Sequence, residues 1–119
     1  MKPRLYLETT IPSYLVARES RDVRLLADQQ ATHEWWNLQR HEYDLFISEA
    51  VLLEVSRGDA VFAAARLAAL REIPVLRDDP LAAELTRRLL DEAIIPPTAA
   101  DDATHLGLAA AHGLDYLLT

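Results

Sequence analysis

Glu8, Glu54 and Asp102 are far apart in the chain, yet each stands at the same point of a recurring pattern. Glu8 ends a short apolar run, Leu5-Tyr6-Leu7, and Glu54 falls in a helical stretch after a second run, Leu45-Phe46-Ile47. Asp102 falls in a helical stretch leading into a third, Tyr116-Leu117-Leu118. In an open parallel sheet, ligands bind beyond the carboxyl ends of the strands, where the strand order reverses. Three carboxylates gathered at one such edge repel one another unless a cation intervenes. Their common use is to hold a divalent metal, and metal-assisted phosphodiester hydrolysis is the chemistry the trio points to.

Each acid has a plainer explanation to set beside that one. At 3.6 residues per turn, Asp102 shares a face with Leu106, Ala109 and Ala110, the expected apolar stripe of its helix. A carboxylate on a core-facing stripe is costly unless paired or metal-bound; the plainer reading is a helix-start acid bonded to backbone amides. Its neighbour Asp101 is explained by a capping box with Thr98. Glu54 flanks Val51 and Val55 and has an ordinary alternative as a surface glutamate paired with Arg57. Glu49, beside Ser48, is accounted for by the helix dipole. Glu8 is followed by Thr9 and Thr10, whose hydroxyls can orient a carboxylate or a water. His105, one turn beyond Asp102, is within reach of the site, but reads first as a helix-flank histidine bonded to a neighbour. His33, His41 and His112 show no spacing suited to a zinc site. Arg18, Arg21 and Arg57 are the nearest candidate phosphate contacts. Trp35 and Trp36 are adjacent on one helix, so one is expected to pack inward and the other to rest on a partner surface.

The elements that must position these residues alternate between strand-like and helical, which predicts an α/β layered domain with a mainly parallel sheet. Strands are predicted at Arg4–Leu7, Asp44–Ile47 and Asp115–Leu118, with a shorter one at Val75-Leu76. Helices are predicted over Ile11–Ala17, from Asp22 to about Arg40, and from Ser48, as its cap, to about Arg57 before Gly58. Three more are predicted: from Asp59 to about Arg71, from Pro80 to Glu92, and from the Thr98–Asp101 capping box to Gly113.

A chain of 119 residues, half of them hydrophobic, supports a single domain with a real core. No apolar stretch is long enough to cross a bilayer, and Met1-Lys2-Pro3-Arg4 runs into a strand without a signal-peptide pattern. There is no cysteine, hence no disulfide framework; a cytoplasmic location is the expectation. The net charge of −7 runs against the basic faces that usually bind phosphate backbones, unless bound cations or a local arginine cluster offset it. No glycine-rich phosphate loop, nucleophile elbow or Cys–His pairing occurs, so kinase, dinucleotide-dehydrogenase and cysteine-hydrolase readings lack support.

Leu5-Tyr6-Leu7-Glu8-Thr9-Thr10, Ile47-Ser48-Glu49-Ala50-Val51-Leu52-Leu53-Glu54-Val55, Asp102-Ala103-Thr104-His105 and Asp115-Tyr116-Leu117-Leu118-Thr119 together resemble the successive landmarks of a PIN domain. This is the nuclease fold of VapC-type toxins from toxin–antitoxin pairs. The resemblance covers nearly the whole chain and implies a three-layer α/β/α sandwich around a short, mainly parallel sheet. It implies a magnesium- or manganese-dependent endoribonuclease in which Glu8, Glu54 and Asp102 match the metal-binding acids and Thr10 the hydroxyl residue beside the first. Single-stranded RNA is the expected substrate, since its backbone is reachable without reading a duplex groove. A small antitoxin protein and a second copy of the chain are the implied partners. The family's first acid is usually Asp, where this chain has Glu8. Its fourth acidic or amide position falls just past Thr119, so the natural chain is expected to continue. The competing expectation is a PIN-like module that binds a protein or RNA without cutting it; a small-substrate phosphohydrolase using the same acids is the third.

Overall fold

A computed structural model describes residues 1–119. Four strands, β1 (Arg4–Leu7), β2 (Asp44–Ser48), β3 (Val75–Leu76) and β4 (Tyr116–Leu118), form one sheet in the order β3-β2-β1-β4. All pairings are parallel: Leu5 lies opposite Leu45 on one side and Tyr116 on the other, and Ser48 lies opposite Leu76. Parallel strands covered on both faces read as continuous apolar runs. β1 behaves this way, with Leu5, Tyr6 and Leu7 all buried at the centre of the main core cluster.

Six α-helices connect the strands: α1 (Thr10–Val16), α2 (Val23–Leu38), α3 (Glu49–Val55), α4 (Ala60–Ala69), α5 (Pro80–Asp91) and α6 (Ala100–Ala111). The chain is therefore α/β with an all-parallel sheet, compatible with a three-layer α/β/α sandwich. Asp22, Asp59 and Asp79 cap α2, α4 and α5, accepting hydrogen bonds from backbone amides of the first turn. No helix is long and apolar enough to cross a membrane.

Several local expectations need correction. Ser48 occupies the position before α3, but its hydroxyl bonds the Tyr6 phenol and caps nothing. The capping box at Thr98 does not form: Pro97–Ala99 makes a 3-10 turn, and α6 starts after Ala99 without a side-chain cap. The apolar face of α6 is also rotated from the expected stripe. Ala103, His105, Gly107, Leu108 and Ala109 are buried, whereas Asp102, Leu106 and Ala110 are exposed. The reason is packing against α5. A Cβ at Gly107 would overlap Thr86 Oγ1 and come within 2.8 Å of Ala82 O, so small size rather than hydrophobicity decides which side of α6 turns inward. The tryptophans depart from expectation too. Both are partly buried against the core, and Arg40 lies over the Trp36 ring at 3.9 Å.

Candidate metal-binding site

The chain runs from β1 through β2 to β3 on one side of the sheet and returns to place β4 on the other side of β1. The reversal puts a crevice beyond the carboxyl ends of β1 and β4, the place where parallel sheets bind ligands. Glu8 stands at its edge as the first residue after β1, and its amide continues the ladder by bonding Leu118 O at 3.0 Å. α3 leaves the carboxyl end of β2 and carries Glu54 in its last turn; the first half of α6 supplies His105.

One ligand atom from each of Glu8, Glu54 and His105 lies within 4.8 Å of the others. Each glutamate commits one oxygen to the protein. Glu8 Oε2 accepts from Thr119 Oγ1 and, at 3.5 Å, from Thr10 Oγ1; Glu54 Oε1 contacts His105 Nε2 at 2.5 Å. Glu8 Oε1 and Glu54 Oε2 have no hydrogen-bond partner, which leaves one free anionic oxygen on each of two half-buried side chains. Carboxylate oxygens of this kind suit magnesium or manganese. Thr9 Oγ1, on the residue after Glu8, is buried without a hydrogen-bond partner.

Behind the glutamates runs a buried polar chain. His105 is 1% exposed, and its Nδ1 lies 2.6 Å from the Tyr6 hydroxyl, itself 2.7 Å from Ser48 Oγ. A carboxylate only accepts, so His105 Nε2 carries the proton directed at Glu54. With a neutral imidazole the remaining directions follow: Tyr6 donates to Nδ1, and Ser48 donates to the Tyr6 oxygen. Burial, opposed by the Ser48 hydrogen bond and reinforced by the negative charges of Glu54 and Glu8, pushes the Tyr6 phenol up to about 12. Tyr6 therefore keeps its proton through the ordinary pH range. Carboxylates that hold a metal are themselves hydrogen-bonded from behind, and His105 stands in that position toward Glu54.

Of the residues anticipated from sequence, the structure brings Glu8, Glu54 and Thr10 together. It does not bring Asp102 into the group of mutually close ligand atoms; Asp102 is exposed in the first turn of α6, one turn before His105. The place in the cluster belongs to His105, whose expected role as a flank residue bonded to a neighbour understates it. Glu54 pairs with this histidine and not with Arg57. Tyr6 and Ser48 were missed because one reads as a strand core residue and the other as a cap. The available signal was a tyrosine inside a short buried strand, since a buried phenol needs a partner. Cavity size does not locate this chemistry: a cleft of about 760 Å³ lined by Asp78, Thr86, Arg87 and Leu108 touches none of these residues. The chain matches no protein-family model and no curated protein.

Proposed function

We propose that the protein is a magnesium- or manganese-dependent endoribonuclease, of the kind that acts as the toxin of a toxin–antitoxin pair. The observation that carries this reading is the meeting of Glu8, Glu54 and His105 within 4.8 Å at the carboxyl edge of the parallel sheet, with one oxygen free on each glutamate. Glu8 and Glu54 would hold the ion through their carboxylate oxygens, and Asp102, exposed in the first turn of α6 one turn before His105, would act on it only through water. His105 is a positioning residue that fixes the Glu54 carboxylate from behind, and Thr10 does the same for Glu8. When bound, a divalent ion lowers the pKa of a water and neutralises charge on the scissile phosphate. No side-chain nucleophile is required. RNA is the substrate, and an antitoxin protein and a second copy of the chain are the partners. The PIN resemblance of the motifs around Glu8, Glu54, Asp102 and Asp115 supports these assignments.

A second reading treats the Glu54–His105 contact as a structural pair in a non-cutting binding module, and its 2.5 Å length favours that alternative. Cleavage of single-stranded RNA by the purified protein separates the two. EDTA is expected to abolish cleavage and excess magnesium or manganese to restore it. Glu54→Gln is expected to lower the rate about a thousandfold, and Asp102→Asn about tenfold or more. Cleavage that persists undiminished in EDTA, or in Glu54→Gln, overturns the nuclease reading.

A further inference from the structure

A second cleft, of about 600 Å³, opens where α1, the turn after α3 and the start of α4 come together. Ser13, Arg18, Arg57, Asp59, Phe62 and Arg66 line it. We propose that this cleft binds the phosphates of the RNA strand adjacent to the scissile bond. The inference rests on the ribonuclease reading above and gives that site its substrate track.

Charge is the first argument. The chain as a whole carries a net charge of −7, yet three arginines line this cleft. None forms an ion pair: the ion pairs in the molecule are Arg88–Glu92 and the Glu54–His105 contact. Asp59 is the one acid in the lining, and its Oδ1 accepts from the Val61 and Phe62 amides at the start of α4. Three cations against one partly committed anion make a local positive field in an otherwise acidic protein. A polyanion is drawn to such a cleft.

The cleft is also held in shape. Arg66 donates from Nε to Val55 O at 2.9 Å and from Nη2 to Arg57 O at 2.7 Å, which pins the turn that presents Arg57. Two of its five N–H donors are used in this way, leaving three. Arg18 is pinned from the other side by Gln29, the one buried residue of α2. The Gln29 amide donates to Arg18 O at 3.1 Å and accepts from the Ser20 amide at 3.0 Å. The Arg18 guanidinium lies 5.9 Å from the Phe62 ring centroid, a weak cation–π contact that keeps it near the cleft. The guanidinium groups of Arg18 and Arg57 make no hydrogen bond within the protein, so their planar forks remain available for bidentate phosphate contact. The backbone segments are fixed and the charged tips are free.

Position is the third argument. Arg57 follows Glu54 by three residues, in the turn just past the end of α3, and its amide bonds Glu54 O at 3.3 Å. Ser13 lies on α1, which begins two residues after Glu8. The arginine cleft and the carboxylate cluster thus share the turn at the end of α3 and the start of α1, which makes the cleft a candidate path for the phosphates next to the cluster.

The test is fluorescence anisotropy with a short fluorescein-labelled single-stranded RNA, in EDTA so that nothing is cut, over a series of salt concentrations. The proteins are wild type, Arg18→Ala, Arg57→Ala, the double variant and, outside the cleft, Arg71→Ala. Arg66 is left intact because it also holds the backbone. The double variant is expected to bind about tenfold or more weakly, with a salt slope shallower by about 0.7 for each phosphate no longer neutralised; Arg71→Ala is expected to match wild type. Equal affinity and slope in wild type and double variant overturn the proposal, as does an equal loss in Arg71→Ala or no binding by wild type. Metal-dependent cleavage with arginine-independent binding removes this proposal and leaves the ribonuclease. Arginine-dependent binding with no cleavage in magnesium or manganese removes the ribonuclease reading and keeps the cleft only as a site for RNA phosphates.

Discussion

Glu54 and Arg57 are three residues apart, one in the last turn of α3 and the other just past its end, and the protein builds around them by opposite means. Glu54 is half-buried and touches a histidine that is 1% exposed, which leans on a fully buried tyrosine and then a buried serine. Arg57 is exposed, and only its backbone is held. The acid pocket is an outgrowth of the core, because the side chains that orient its carboxylate are themselves core residues. The arginine cleft is a surface feature with fixed backbone and mobile charge. Holding an ion requires oxygens placed to within a fraction of an ångström. Following a flexible strand requires charge at roughly the right place, and adaptable side chains serve better.

That difference is open to direct attack through stability. The largest effect is expected from His105→Ala, which leaves a buried cavity and removes one of the two hydrogen-bond partners of the Tyr6 hydroxyl. A loss of about 2–4 kcal/mol in chemical denaturation is expected, together with a ten- to hundredfold drop in metal affinity, on the order found for residues that orient ligands. A loss below about 0.5 kcal/mol would show that the buried chain is not part of the core's support. Tyr6→Phe comes next, at about 1–3 kcal/mol, and carries a pH signature. The folded phenol keeps its proton to about 12 whereas the unfolded one loses it near 10.0. Wild-type stability from this group is therefore complete below pH 10 and lost as pH rises towards 12, by about 2 kcal/mol. The variant should lack that fall; identical alkaline profiles would contradict the burial argument. The smallest effect belongs to the cleft: Arg18→Ala and Arg57→Ala are each expected to change stability by no more than about 0.5 kcal/mol. A larger loss would mean that these arginines support the fold, and the contrast between the two regions would collapse.

Much of the fold was legible because it rests on local rules. β1, β2 and β4 appear as short apolar runs, and even the two-residue β3 was visible as Val75-Leu76. Asp22 and Asp59 announced the helices they cap. Reading failed where a residue with a strong local preference was claimed by a distant partner. Ser48 has the right type and position for a cap, yet its hydroxyl meets Tyr6, far back along the chain in β1. Thr98 and Asp101 have capping-box spacing, but Pro97 opens a 3-10 turn ahead of the helix. For α6, counting apolar residues favoured the Leu106 side. Close approach to Thr86 and Ala82 instead turned Gly107, Ala103 and His105 inward.

The order of runs and breaks along the chain was enough to determine an α/β domain with Glu8 and Glu54 near the carboxyl edge of a parallel sheet. Strand period, helix caps and the need to bury apolar runs act over a few residues and leave marks in the sequence. Which third side chain joins those glutamates was decided only by tertiary packing. The rotation of α6 about its axis depends on how closely it fits α5, and that rotation selects His105 for the interior and leaves Asp102 at the surface.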